Sequence, residues 1–171
     1  LLLGQNVELF TYDMPPLDVN FYYSQYFPIV GPLGARLGGG MGARADFAFG
    51  FDTAGLSQYL KTGDPADVFN GFYVSDRANA NGTGADVSEL SLFGRIDASA
   101  ELNLWIVKAG VGGGIVQRID FNLNDSNGDG KVRFGEIARN FERGPLCVFD
   151  VHGDVKAELF AYIKIEIDLG F

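Results

Sequence analysis

The sequence predicts an all-β fold: an antiparallel sandwich or flattened barrel of long strands, with one or two short helices and an EF-hand-like strand–loop–helix insert. Three observations lead there. Residues 39–51, 94–106 and 153–165 each start at a glycine and place an apolar or small residue at every second position. That period puts alternate side chains on opposite faces of a strand. Twenty-four glycines in 171 residues, against about 7% in an average chain, suit turns and close backbone approach better than long helices. Finally, DSNGDGKVRFGE (125–136) has EF-hand spacing but follows IVQRIDFNL, which alternates like a strand.

In chain order, residues 1–32 are expected to form an extended arm, because 14–32 carries four of the six prolines. The remainder, 33–171, is expected to be one β-rich calcium-binding domain. Its three similar strands should share a core, with Ala and Gly positions letting sheets approach closely. Further strands are expected at 7–11, 69–75 and 110–123. DTAGLSQYLKTG (52–63) predicts two helical turns capped by Asp52 or Thr53 and stopped at Gly63. DPADVFNG (64–71) reads as a helical turn, and RANANGTGAD (77–86) as an exposed loop. FGEIARNFERG predicts a second helix ended by Gly144 and Pro145.

The EF-hand pattern needs oxygen ligands at positions 1, 3, 5, 7, 9 and 12, with glycine at 6. Here these are Asp125, Asn127, Asp129, the Lys131 carbonyl and Glu136, with Gly130 at the turn. Arg133 at position 9 cannot ligate, which leaves that place to water. Val132 at position 8 is expected to anchor the loop in the core. Three carboxylates predict modest Ca²⁺ affinity, about 10⁻⁴ to 10⁻³ M. With one loop and one following helix, the ion is expected to hold structure rather than open a sensor.

The net charge of −9 argues against nucleic acid, whose phosphates need clustered Lys and Arg. GGGMGA (38–43) satisfies G-x-G-x-x-A, but a strand follows it where a nucleotide site needs a helix. Neither nucleotide nor nucleic acid is therefore an expected partner. Cys147 is the sole cysteine, so no intrachain disulfide is possible, and its apolar neighbours suggest a small core residue. His152 is the sole histidine and reads as a turn or surface residue. Neither has triad partners nearby, and no catalytic role is expected. Asn81-Gly82-Thr83 matches the glycosylation acceptor pattern in an exposed loop.

FAFGFDTAGL, GFYVSD, AGVGGGI, IDFNLND, DGKVRFGEI and GPLCVFDV resemble a repeated module of very large calcium-binding bacterial surface proteins, adhesin-like or filament-like. The resemblance spans roughly residue 33 to the C-terminus, and its most specific part is the calcium loop followed by GPLCVFDV. It implies an extracellular structural or adhesive role; the unfinished alternation of IKIEIDLGF and the aromatic patches add the expectation of joining other copies or neighbouring modules through strand edges and apolar patches. It brings no catalytic residues. Two other readings stand beside it. Alternating strands ending in Phe171 also suit an outer-membrane β-barrel. Tyr22, Tyr23, Tyr26 and Trp105 could stack on surface glycans around a calcium-supported scaffold.

Overall fold

The computed structural model describes residues 6–166. The chain is all-β, with antiparallel sheets and short helices, and no barrel closes among the described residues. Its strands are β1 (Glu8–Asp13), β2 (Leu17–Val30), β3 (Leu33–Ala45), β4 (Ala48–Asp52), β5 (Phe72–Ser75), β6 (Arg77–Asn79), β7 (Thr83–Asp86), β8 (Leu90–Leu104), β9 (Val107–Leu123), β10 (Lys131–Arg133) and β11 (Phe149–Ile165). The α-helices are α1 (Ala54–Thr62) and α2 (Phe134–Arg143), with 3-10 turns at Pro65–Gly71 and Pro145–Val148.

Two compact units emerge. Unit 1 comprises Leu1–Leu17, Arg44–Ser91 and Asp120–His152; unit 2 comprises Asp18–Ala43, Leu92–Ile119 and Gly153–Phe171. This division follows a different line from the expected boundary after residue 32. Residues 1–32 supply β1 and β2, each hydrogen-bonded into a sheet.

Unit 1 contains the sheet β1–β4–β5–β10, antiparallel throughout. On one side its aromatic rings stack across strands: Phe10 on Phe51, Tyr12 on Phe49, and Phe49 on Phe72. Such cross-strand pairs stabilise a sheet by about 0.2–1 kcal/mol each. Tyr73, fully buried, alternates to the other side and occupies the space left by Gly50. Its hydroxyl donates to Glu8 at 2.6 Å, and the Lys131 ammonium lies 4.5 Å from its ring centre. Arg133 grips buried Asp52 through both carboxylate oxygens, at 3.0 and 2.8 Å. Burial pushes the Asp52 carboxyl up, but the Arg133 hydrogen bonds, the Ala54 N–H and the charges of Arg133 and Lys131 together outweigh it and hold the group below its ordinary value.

The helices follow the expected caps. Asp52 Oδ1 accepts the Ala54 N–H at 3.0 Å, and Gly63 closes α1 in the left-handed region. A small apolar core joins Leu123, Val132 and Val148, with Val74, Ile137 and Phe149 packed against it. Val132 thus anchors the loop as its position suggested. Cys147, in contrast, is exposed; the 3-10 turn directs Val148, one residue on, into the core instead.

Unit 2 is a sheet in the order β11–β9–β8–β3–β2. The second alternating stretch lies in β8 up to the turn at Trp105, and the third lies in β11. The first is split. Asp46 N–H donates to the Glu89 carbonyl and Phe47 C=O accepts from Met14 N–H, which interrupts the ladder between β3 and β4.

The expected core of these repeated strands is not where the alternation suggested. Their apolar residues form an open face: Leu159 is 93% exposed and Ile163 76%, with Met41, Ile96 and Val155 also exposed. The opposite, polar face is the covered one. Glu101 is 1% exposed and receives Arg36 at 2.8 and 3.1 Å and the Tyr162 hydroxyl at 2.6 Å. Tyr22 donates to Asp97, and Arg95 bridges the same carboxylate.

The reason is visible in the glycines. Tyr26 lies where a Cβ on Gly34 would sit, and Tyr162 where one on Gly110 would sit, with approach distances of 2.3 and 2.6 Å. Glycine here seats aromatic rings from a neighbouring strand, rather than bringing two sheets together. Long Tyr and Arg side chains then lie flat and cover the acids beneath them.

Glu101 offers a pH test. The Arg36 hydrogen bonds hold its carboxyl below the ordinary glutamate value. A depressed folded-state pKa adds stability at neutral pH that is lost as pH falls through it. Glu101→Gln is expected to lower unfolding stability by about 2 kcal/mol at pH 7, the order for a buried charged hydrogen bond. The gap from wild type should close towards pH 3 in urea titrations.

Candidate metal centre

Of the predicted loop residues, Asp125, Asn127 and Asp129 lie in the tight turn after β9, Lys131 opens β10 and Glu136 lies in the first turn of α2. Asp125 Oδ1 accepts Gly128 N–H at 2.9 Å and its Oδ2 accepts Gly130 N–H at 2.7 Å. Asn127 Oδ1 accepts Asp129 N–H at 2.8 Å, and Asp129 Oδ1 accepts Lys131 N–H at 2.9 Å. Successive Asx turns of this kind wind the chain around a centre while leaving further oxygen lone pairs for a ligand. Gly130 has φ +77° and lies against Gly82, where a Cβ would come 2.2 Å from its carbonyl oxygen.

Lys131 and Arg133 both turn away from the loop. The Lys131 ammonium reaches Glu8 at 2.8 Å, which leaves its carbonyl as the donor the motif assigns. Arg133 is committed to Asp52 and the Asn70 carbonyl, with Asp129 at 4.0 Å. Loop positions 7–9 are β10, paired antiparallel with β5, so Val132 faces Val74. A strand from elsewhere in the chain therefore supports the loop.

Glu136, in the first turn of α2, closes the set. Its Oε2 accepts Arg133 N–H at 3.1 Å, while its Oε1 is buried with no partner in the structure. Burial raises the Glu136 carboxyl above its ordinary value, and Asp129 and Asp125 add to the rise. An orphaned buried carboxylate oxygen costs about 1–3 kcal/mol unless something pairs with it. The donor set is all oxygen, which suits a hard divalent cation. Among the described residues no three His, Cys, Asp or Glu side chains stand together at metal-binding distance.

Two features carry no local signature in the sequence. Asn140, buried on α2, donates to the Asn124 carbonyl at 2.9 Å and fastens the helix to the entrance of the loop. Acids also gather beside the loop. Asp76 and Glu89 are each pushed up to about 7, chiefly by burial. Asp86 and Asp125 add to the rise at Asp76, and Asp76 and Asp86 to that at Glu89. These residues come from separate segments, and no local spacing announces them.

The other aromatic and glycan-related residues are placed as follows. Tyr22 and Tyr26 each pack against glycines in the sheet of unit 2, Tyr22 remaining 54% exposed and Tyr26 half-buried. Tyr23 is exposed, and Trp105 is 95% exposed at the β8–β9 turn with φ 54°. Asn81 Oδ1 accepts from Thr83 in the short β6–β7 hairpin. His152 is exposed within β11. Phe171 lies outside the described residues. No family model, curated protein or solved structure matches the chain, so the site is read from its own geometry.

Proposed function

We propose that the chain is a calcium-stabilised structural module of an extracellular assembly. It joins other copies of itself, or neighbouring modules, through the apolar face of unit 2. The observation that carries this reading is that face. From Val19 in β2 to Ile165 in β11, the alternate positions that share it hold no charged residue. Strand spacing and rise put its extent on the order of 900 Å², whereas the largest apolar patch on a monomer is about 300–600 Å². Two such faces packed together bury about 1,800 Å², the size of a standard stable interface. Calcium in the loop of residues 125–136, held by Asp125, Asn127, Asp129, Lys131 and Glu136, fixes unit 1. Affinity in the millimolar range matches extracellular modules.

Sedimentation velocity in millimolar calcium without detergent tests this. Concentration-dependent self-association is expected; a strictly monomeric, soluble chain at high concentration overturns it. A second reading is favoured by the ion-paired face opposite the apolar one, because a lipid-facing barrel wall has the same two sides. Among the described residues no helix is long and apolar enough to cross a membrane, which does not bear on strands. A chain that stays dispersed only in detergent, as a single species, selects that reading.

A further inference from the structure

We propose a second cation site in unit 1, formed by Asp76, Glu89 and Asn122 with Asp86 beside them, that takes a hard divalent ion such as calcium. Asp76 follows β5, Asp86 ends β7, Glu89 precedes β8 and Asn122 lies in β9. Asp76 is 2% exposed and Glu89 1%. Even so, Asp76 Oδ1, Glu89 Oε1 and Asn122 Oδ1 are each buried without a hydrogen-bond partner. Buried acceptors are almost always paired, and an exception calls for a water or an ion.

The remaining bonds hold the group in place. Glu89 Oε2 accepts Leu123 N–H at 2.7 Å, and the Asn122 amide donates to Asp86 Oδ1 at 2.6 Å. Asp76 N–H donates to the Gly130 carbonyl at 3.1 Å, and Gly130 N–H donates to Asp125, so the cluster adjoins the EF-hand-like loop.

The charge around it is one-sided. Asp76 feels Asp86, Asp125 and Asp150 against Arg77, and Arg77 reaches Asp86 at 4.0 Å. Water can satisfy the orphaned oxygens but cannot neutralise the acids. A divalent cation does both, and three oxygen donors on separate segments are what it would cross-link. Among the described residues these carboxylates do not form a ready-made group of three metal-binding side chains, so the entering ion has to draw them together.

Equilibrium dialysis of the full chain against calcium tests the proposal, with thermal unfolding in parallel. Wild type is expected to bind two ions. The double variant Asp76→Asn/Glu89→Gln should bind one, the ion of the loop, and in EDTA should melt no lower than wild type because uncompensated buried charge is gone. Glu89→Gln alone serves if the double variant does not fold, and should weaken one of the two ions at least tenfold. Asp125→Asn should spare the second ion and lose the first, so failure of the loop reading shows separately. A single ion in wild type that Asp125→Asn abolishes, or two tight ions retained in both the double variant and Glu89→Gln, overturns the site.

Discussion

Replacing Glu136 by glutamine is expected to abolish calcium-dependent stabilisation by the loop of unit 1. Its Oε1 is the buried, unpartnered oxygen that closes the donor set, and the amide keeps the shape while removing the charge. A ligand at about 100 times its dissociation constant stabilises the folded state by about 2.7 kcal/mol. That increment, read as the difference between urea unfolding in calcium and in EDTA, should fall several-fold in Glu136→Gln. In EDTA the variant should equal or slightly exceed wild type, because a buried carboxylate without a partner has been neutralised. A calcium increment unchanged by the substitution would remove Glu136 from the site.

Leu159→Asp is expected to break self-association while leaving the fold intact. Leu159 is 93% exposed on the charge-free face, in the edge strand β11, so a charge there is solvated in the separated chain. Surface changes of this kind usually alter stability by less than about 0.5 kcal/mol. In a face-to-face contact the same carboxylate is buried without a partner, at about 3–5 kcal/mol. The dissociation constant should rise at least a hundredfold in sedimentation, with circular dichroism unchanged. Association equal to wild type would place the contact elsewhere.

The alternation showed which residues share a face, but not which face is covered. In β11, Val155, Leu159 and Ile163 alternate with Glu158, Phe160 and Tyr162. Hydrophobicity alone assigns the first set to a core. The structure instead half-covers Phe160 and Tyr162, because Gly110 and Gly112 on β9 accept their rings, and leaves Glu158 exposed. The signal was present in Gly34, Gly38, Gly40 and Gly42, which fall in the same period as Arg36 and Arg44.

The winding of the loop was legible, since its Asx turns and its left-handed glycine fall within twelve consecutive positions with the spacing of the EF-hand pattern. The caps of α1 were legible for the same local reason. Asp76 and Glu89 were not, because their setting depends on distant residues of unit 1: Asp86 and Asp125 act on Asp76, and Leu123 bonds Glu89. The Glu8–Tyr73–Lys131 and Asp52–Arg133 contacts were hidden likewise, joining residues up to 123 positions apart.

The proposed assembly covers the open face of unit 2. Hydroxyl-radical footprinting with mass spectrometry measures this directly, on the dilute chain and on concentrated assemblies in calcium. Met41, Leu159 and Ile163 should react readily when dilute and become protected on assembly. Equal labelling of these three residues in both states contradicts an assembly built through that face.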